Sequence, residues 1–192
     1  MQHSRLDPVL IRKYNKPVPR YTSYPTVPNW HEKIDKGRWL ELFSDSFHAN
    51  NPGKGISLYV HLPFCESLCT YCGCNKKITG NHSVEEEYIA AIEKEWLLYR
   101  STMKQVPVIQ ELHLGGGTPT FFSPENLERL TNFILNRSIR HPNYDFSIEG
   151  HPNNTTEDHL KLLLNAGFRR ISYGIQGPGP GCTTNDQPRS AF

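Results

Sequence analysis

The sequence lacks a hydrophobic run that could cross a bilayer, a span that takes about 18–20 apolar residues. It also lacks an excess of one charge: 21 Lys and Arg face 19 Asp and Glu, which gives a net charge of +2. We therefore expect neither a membrane nor a nucleic acid as partner. Met1–Arg5 leads into no apolar segment typical of a signal peptide, so we expect a cytoplasmic protein with reduced thiols.

Length and composition predict one folded domain, or one domain with a small annex. The chain has 192 residues, 36% of them hydrophobic and 11% aromatic, which is enough apolar material for a core. We place an N-terminal arm and helix at 1–52, a core at 53–176 and an atypical tail at 177–192. The tail opens with Gly-Pro-Gly-Pro-Gly, which fits neither helix nor strand, so we expect it to be disordered.

Strand-like and helix-like segments alternate along the core. Short β-prone runs predict strands at 56–60, 108–114, 144–149 and 170–175. Apolar residues at helical spacing predict helices at 6–14, 35–48, 83–100, 126–135 and 155–164. Ser83 and Glu86 are expected to form a capping box at the start of the third helix. The alternation predicts an α/β fold, in which about four parallel strands with helices outside form an incomplete (β/α) barrel.

Residues with possible chemistry follow the predicted strands. A cysteine-rich segment follows the first strand, Gly115–Thr120 follows the second, Glu149 ends the third and Gln176 follows the fourth. Because the carboxyl ends of parallel strands lie at one edge of the sheet, all of these residues are expected on one rim. The sequence therefore predicts a functional site at that rim.

Cysteine is scarce and clustered, with four of the five residues between positions 65 and 74. Cys65, Cys69 and Cys72 have C-x3-C-x2-C spacing, which suits three irons of a [4Fe–4S] cube with the fourth iron open to another ligand. The alternative is a structural zinc site, although zinc usually takes two separated ligand pairs. We expect Cys74 to be a non-ligand, and the pattern assigns no role to Cys182.

The other rim residues have ordinary alternatives. Gly115–Thr118 could be only a tight strand-to-helix turn. Alternatively, because glycine has no Cβ, its backbone could be approached closely by a ligand such as a zwitterionic amino acid moiety. Glu149 is interpreted either as a hydrogen-bond acceptor for a ligand hydroxyl or ammonium group or as a solvated carboxylate at the end of a strand. Tyr59 is interpreted either as a site residue or as part of the hydrophobic core. Tyr71, next to Cys72, is interpreted either as an aromatic side chain that covers the cluster or as a surface on which a planar ring of a ligand stacks. Lone histidines such as His61 and His113 are more often structural.

The stretch Tyr59–Cys65, the cysteine spacing and Leu112–Thr120 together resemble the radical S-adenosylmethionine superfamily. Within it, the arm Pro19–Thr26 and the segment Cys72–Asn75 resemble the family of bacterial oxygen-independent coproporphyrinogen III oxidases. The resemblance runs from about Ile11 to Gln176 and covers less than half of a family member. The alternative is the related haem-binding chaperone branch, which lacks this arm.

The resemblance implies a cofactor set and a reaction. A [4Fe–4S] cluster on the three cysteines would bind S-adenosylmethionine, and a 5′-deoxyadenosyl radical would drive oxidative decarboxylation of two propionates of coproporphyrinogen III to vinyl groups. The product, protoporphyrinogen IX, belongs to porphyrin and haem biosynthesis. Two S-adenosylmethionine molecules are implied, the first against Tyr59, Gly116 and Glu149. The second would lie against the residues Tyr71, Gly117, Thr118 and Gln176.

The resemblance also implies partners and a longer chain. A reducing electron donor such as flavodoxin or ferredoxin is expected, and the protein is expected to be a monomer. Family members continue past the position of Gln176 with further strands, whereas here a Gly/Pro tail follows. A sheet of four strands would keep an exposed edge. We therefore expect that this chain is truncated and that its 192 residues alone do not turn over the substrate.

Overall fold

The structure is a computed structural model that describes residues 7–16, 29, 34–69 and 72–174. It divides into two compact units, 1–39 and 40–192. In the first unit a short helix, α1 (Pro8–Tyr14), begins at Asp7, whose side chain accepts a hydrogen bond from the Val9 amide. The division falls within α2 (Lys36–Asn50), a helix that the apolar spacing predicts. The predicted arm and tail lie outside the described residues, and the domain bounds at residues 52 and 176 remain predictions.

A four-stranded parallel sheet forms the centre of the second unit, as predicted. Its strands lie in the order β1, β4, β5, β6. Their bounds are β1 Ile56–Leu62, β4 Val108–Gly116, β5 Ile139–Gly150 and β6 Arg170–Tyr173. Two further short strands, β2 (Phe64–Cys65) and β3 (Lys77–Ile78), pair with each other at the two ends of the cysteine segment. Within the described residues the main sheet ends at β6 without closing.

The crossover helices are α3 (Val84–Met103), α4 (Pro124–Leu135) and α5 (Glu157–Ala166). Their caps follow from the local sequence in two cases. Ser123 accepts a hydrogen bond from the Asn126 amide at the start of α4. Thr156 forms a capping box with His159 at the start of α5. None of the helices in the described part of the chain is long and apolar enough to cross a membrane.

The expected capping box at α3 is wrong. Ser83 already has helical backbone angles, with φ −63° and ψ −16°, and its side chain makes no capping hydrogen bond. The amide of Ser83 instead donates to Asn81 Oδ1 at 3.0 Å. Asn81 therefore takes over part of the role that the sequence pattern assigned to Ser83.

Strand β5 begins five residues earlier than the sequence predicts. Ile139 and Arg140 pair with Val108 and Ile109, and the register then shifts so that Asp145 pairs with Glu111. Pro142 lies in the unpaired stretch between these two paired segments. Because proline has no amide hydrogen to donate, it is accommodated at such a bulge, and the strand continues on both sides of it.

The two faces of the sheet differ in polarity, since side chains alternate along each strand. One face packs with the helices into a continuous core that includes the residues Leu62, Leu112, Leu114, Phe146, Ile148, Ile89, Trp96, Leu127 and Ile134. The opposite face bears Tyr59, His61, His113, Ser147 and Glu149. The fold therefore gathers polar side chains from three neighbouring strands on one surface.

A buried carboxylate joins the amino ends of two helices. Glu85 of α3 is 2% exposed. Its Oε2 accepts hydrogen bonds from the Ser123 amide and the Asn126 side chain, each at 2.8 Å. Its Oε1 lies 2.7 Å from His82 Nδ1. A negative charge at the amino end of α4 is also favoured by the helix dipole, so this residue fixes α4 against α3.

Replacement of Glu85 by alanine should destabilise the fold, because the half-buried Ser123 amide and Asn126 side chain and the exposed His82 would all lose their buried partner. We expect a loss of about 3 kcal/mol in the free energy of unfolding, the upper end of the cost of unsatisfied buried polar groups. Urea denaturation followed by circular dichroism measures it. Glu87→Ala, at an exposed position in the same helical turn, is the matched control. Equal stability of the two variants would contradict this assignment.

Candidate active site

The turn after β4 lies directly against the chain that leaves β1. The Gly117 amide donates to the Leu62 carbonyl and the Thr118 amide donates to the Phe64 carbonyl, both at 2.9 Å. These bonds continue the β1–β4 pairing beyond the last paired residues, Leu62 and Gly116. The glycine turn and the start of the cysteine segment are therefore neighbours at the carboxyl edge of the sheet.

This turn requires glycine because the segment that follows β1 lies too close to leave room for a side chain. Gly116 has φ +124°, and a Cβ there would lie 2.8 Å from the His61 ring. A Cβ at Gly117 would lie 2.5 Å from the Pro63 carbonyl oxygen. Real side chains essentially never approach a backbone atom that closely. The tight-turn alternative therefore accounts for both residues, and their missing side chains do not by themselves indicate a ligand.

Cys65 is the most buried of the clustered cysteines. It lies in β2, where its carbonyl accepts a hydrogen bond from the Thr79 amide at 2.9 Å. Its Sγ accepts a hydrogen bond from Thr118 Oγ1 at 3.4 Å. Burial raises the pKa of the Cys65 thiol, and the Thr118 hydroxyl acts in the opposite direction because it stabilises the thiolate. The glycine turn thus contacts the first predicted cluster ligand.

The other cysteines lie on the loop that follows. Cys69 and Cys72 are half-buried, and the Cys72 amide donates to the Cys69 carbonyl at 3.1 Å. Cys74 is exposed, and the pKa of its thiol is raised by partial burial and then by its hydrogen bond with Cys72. Lys76 Nζ donates to the carbonyls of Cys72 and Cys74, each at 3.3 Å. The predicted site residues Tyr71 and Gln176 lie outside the described residues.

The described residues contain no group of three or more His, Cys, Asp or Glu side chains placed to hold a metal ion. The donor chemistry nevertheless fits an iron–sulfur cluster, because Cys65, Cys69 and Cys72 supply three thiol side chains within eight positions of the sequence. Their side chains would have to turn toward a common point when a cluster binds. The assignment of these three residues as ligands remains a prediction.

At the end of β5, Glu149 is hydrogen-bonded through one carboxylate oxygen and faces His113 with the other. Its Oε2 accepts a hydrogen bond from the Gly116 amide at 3.0 Å. Its Oε1 lies 3.6 Å from His113 Nε2. The side chain keeps 46% exposure, so lone pairs of the carboxylate still face solvent. This geometry is that of an oriented acceptor, in contrast to the freely solvated carboxylate of the alternative interpretation.

Tyr59 does not belong to the core, so that alternative is wrong. It is 54% exposed, and its hydroxyl lies 3.0 Å from His61 Nδ1. Its ring stacks on His113, with ring centroids 5.7 Å apart. Partial burial raises the pKa of Tyr59, and the negative charge of Glu149 adds to the shift. Tyr59 is therefore a surface residue of the same polar face as Glu149.

Sequence reasoning missed two histidines of this face. His61 Nε2 lies 2.8 Å from the Asn75 carbonyl, which ties β1 to the far end of the cysteine loop. His113 pairs in register with both Tyr59 and Ser147. The available signal was alternation, since His61 follows Tyr59 by two positions and therefore shares its face.

Comparison with protein families matches residues 59–185 to the radical SAM superfamily. The chain belongs to the radical SAM superfamily. Among its relatives, the oxygen-independent coproporphyrinogen III oxidase of Pseudomonas aeruginosa is 38% identical over 174 residues, which are 90% of this chain and 37% of that protein. The enzyme of the same name from Escherichia coli K12 is 36% identical over 88% of this chain and 36% of its own length.

A solved structure extends the similarity to the fold. Coproporphyrinogen III oxidase (HemN) from Escherichia coli, described as a radical SAM enzyme, superposes with a TM-score of 0.77 at 30% identity. The alignment covers 95% of this chain and 39% of that structure. The chain thus spans somewhat more than a third of the length of these relatives. Membership in the superfamily implies a [4Fe–4S] cluster and S-adenosylmethionine as cofactors.

Gly117→Ala should destabilise the site region, because the new methyl group would overlap the Pro63 backbone. We expect a loss of about 3 kcal/mol in the free energy of unfolding, the upper end of the cost of overpacking. Urea denaturation measures this loss. Gly80→Ala is the matched control, since a Cβ there meets nothing within 4 Å. If Gly117→Ala were as stable as Gly80→Ala, the packing explanation for the glycine turn would be wrong.

Proposed function

We propose that this chain forms the part of an oxygen-independent coproporphyrinogen III oxidase that binds the cluster and S-adenosylmethionine. The observation that carries the proposal is the meeting of the cysteine segment, the glycine turn and Glu149 at one edge of the sheet. The relatives from Pseudomonas aeruginosa and Escherichia coli, at 38% and 36% identity, bear this enzyme name and support the choice of reaction.

Cys65, Cys69 and Cys72 would hold the cluster. Three thiolates leave one iron open, and that position suits the amino and carboxylate groups of S-adenosylmethionine. Thr118 would keep its hydrogen bond to the Cys65 sulfur. Cys74 is not included, because a fourth thiolate would close the open position. When bound, the cluster would supply the electron that cleaves the sulfonium and releases the 5′-deoxyadenosyl radical.

The first S-adenosylmethionine molecule would lie against Tyr59, Gly116 and Glu149. The Gly116 amide donates a hydrogen bond to Glu149 Oε2 at 3.0 Å. The remaining lone pairs of the carboxylate could accept hydrogen bonds from a ligand ammonium or hydroxyl. The Tyr59 ring lies on the same face and offers a flat surface beside that carboxylate. Both residues would orient the ligand before any chemistry takes place.

A second S-adenosylmethionine molecule would lie against the residues Tyr71, Gly117, Thr118 and Gln176. The amides of Gly117 and Thr118 already donate to carbonyls of the β1–β2 connection. Contact from these two residues would therefore come from groups other than their amides, such as the Thr118 hydroxyl. The number of S-adenosylmethionine molecules remains part of the proposal.

The proposed reaction converts two propionate side chains of coproporphyrinogen III into vinyl groups. The 5′-deoxyadenosyl radical would take one hydrogen atom from a propionate and become 5′-deoxyadenosine. Loss of CO₂, with transfer of the remaining electron to a one-electron acceptor, would then leave each vinyl group and give protoporphyrinogen IX. A reduced flavodoxin or ferredoxin is proposed as electron donor, the protein as a monomer and the cytoplasm as its location. The polar face around His113 and Ser147 supports a site for a charged substrate on that side of the sheet.

Anaerobic reconstitution should give an oxygen-sensitive cluster with about 4 iron and 4 sulfide per chain, the content of one cube. Cys65→Ala, Cys69→Ala and Cys72→Ala should each abolish it, because a ligand is lost. Cys74→Ala is the matched control on the same loop and should retain the cluster. Absorption and electron paramagnetic resonance spectra, with iron and sulfide assays, measure the result. A colourless protein with one tightly held zinc ion would contradict the proposal.

A further inference from the structure

Three side chains from three neighbouring strands meet over Gly115. A Cβ at this glycine would lie 3.0 Å from each of three atoms, which are Tyr59 Cε2, His113 Nε2 and Glu149 Oε2. The register explains the meeting, since His113 pairs with Tyr59 on one side and with Ser147 on the other. His113 is therefore at the centre of the polar face, although sequence reasoning assigned it no role.

A continuous line of polar contacts runs through His113. Ser147 Oγ lies 2.8 Å from His113 Nδ1. His113 Nε2 lies 3.6 Å from Glu149 Oε1, and Glu149 Oε2 accepts from the Gly116 amide at 3.0 Å. If the Ser147 hydroxyl donates to Nδ1, the ring proton is on Nε2 and faces the carboxylate. In this tautomer the Nε2–H group faces Glu149 Oε1 across 3.6 Å, a favourable polar contact that is longer than a hydrogen bond.

We propose that His113 is a positioning residue that fixes the Glu149 carboxylate for a ligand ammonium or hydroxyl. The inference deepens the proposed function, because it assumes that Glu149 contacts S-adenosylmethionine. The Gly116 amide holds one oxygen, and the imidazole approaches the other. A carboxylate that is oriented in advance loses less rotational freedom on binding, so the ligand binds more tightly. Stacking of Tyr59 on the imidazole keeps the ring in the required plane.

The test compares two replacements of His113 in the anaerobically reconstituted 192-residue chain. His113→Phe keeps an aromatic ring against Tyr59 but removes both nitrogens. His113→Gln keeps an N–H donor on a side chain that can reach Glu149. Equilibrium dialysis with S-adenosylmethionine gives the dissociation constant, and iron content and thermal unfolding are measured in parallel.

We expect His113→Phe to weaken S-adenosylmethionine binding about tenfold at full cluster content, because Glu149 Oε1 would lose the polar imidazole group that faces it; tenfold corresponds to about 1.4 kcal/mol. His113→Gln should restore most of the affinity. His141→Phe is the matched control, because His141 lies near the start of β5 and its Nδ1 accepts from the Asn143 amide at 3.1 Å. That variant should bind as the wild type does.

A second variant, Gly115→Ala, keeps His113 but pushes the three converging side chains apart by a few tenths of an ångström. It should also weaken binding with the cluster intact. Wild-type protein that carries the cluster but does not bind S-adenosylmethionine would refute the proposed function. Wild-type binding with unchanged affinity in His113→Phe would refute the positioning role alone. Equal loss in the Phe and Gln variants, with a lowered unfolding temperature, would show that the imidazole is structural and would also overturn the inference.

Discussion

The site depends on the close approach of the glycine turn after β4 to the chain that leaves β1. Two amide–carbonyl hydrogen bonds, from Gly117 to Leu62 and from Thr118 to Phe64, hold this contact at 2.9 Å. A side chain at Gly117 would break it. Because of this contact, the Thr118 hydroxyl reaches the Cys65 sulfur. The same turn presents the Gly116 amide to Glu149, so the cysteine loop and the acidic residue are joined through one backbone segment.

Much of this arrangement follows from the sequence because its signals are local. The alternation of β-prone runs and helical spacing predicts four parallel strands, and the sheet confirms them. The caps of α4 and α5 use side chains within three residues, so Ser123 and Thr156 could be recognised without the fold. The common rim follows from parallel topology alone, since all carboxyl ends point the same way. Family membership is likewise carried by short motifs that are contiguous in sequence.

The features that sequence reasoning missed are contacts between distant segments. Glu85 can be buried because Ser123 and Asn126, which lie 38 and 41 positions later in the chain, supply its donors. His113 gains its partners only through the register of three strands. The expected capping box at Ser83 failed for a related reason. His82 contacts the buried Glu85. The Ser83 amide donates to the Asn81 side chain, so Asn81 provides the hydrogen-bond acceptor at the start of α3.

We propose that this chain supplies the cluster and S-adenosylmethionine site of a coproporphyrinogen III oxidase. The most direct measurement uses a hybrid in which the chain replaces the matching segment of the Pseudomonas aeruginosa relative, to which it is 38% identical over 174 residues. With reductant, S-adenosylmethionine and coproporphyrinogen III under anaerobic conditions, we expect the hybrid to release CO₂ and form protoporphyrinogen IX. Both should be lost in Cys69→Ala. A hybrid that folds and carries the cluster but neither cleaves S-adenosylmethionine nor releases CO₂ would contradict this assignment.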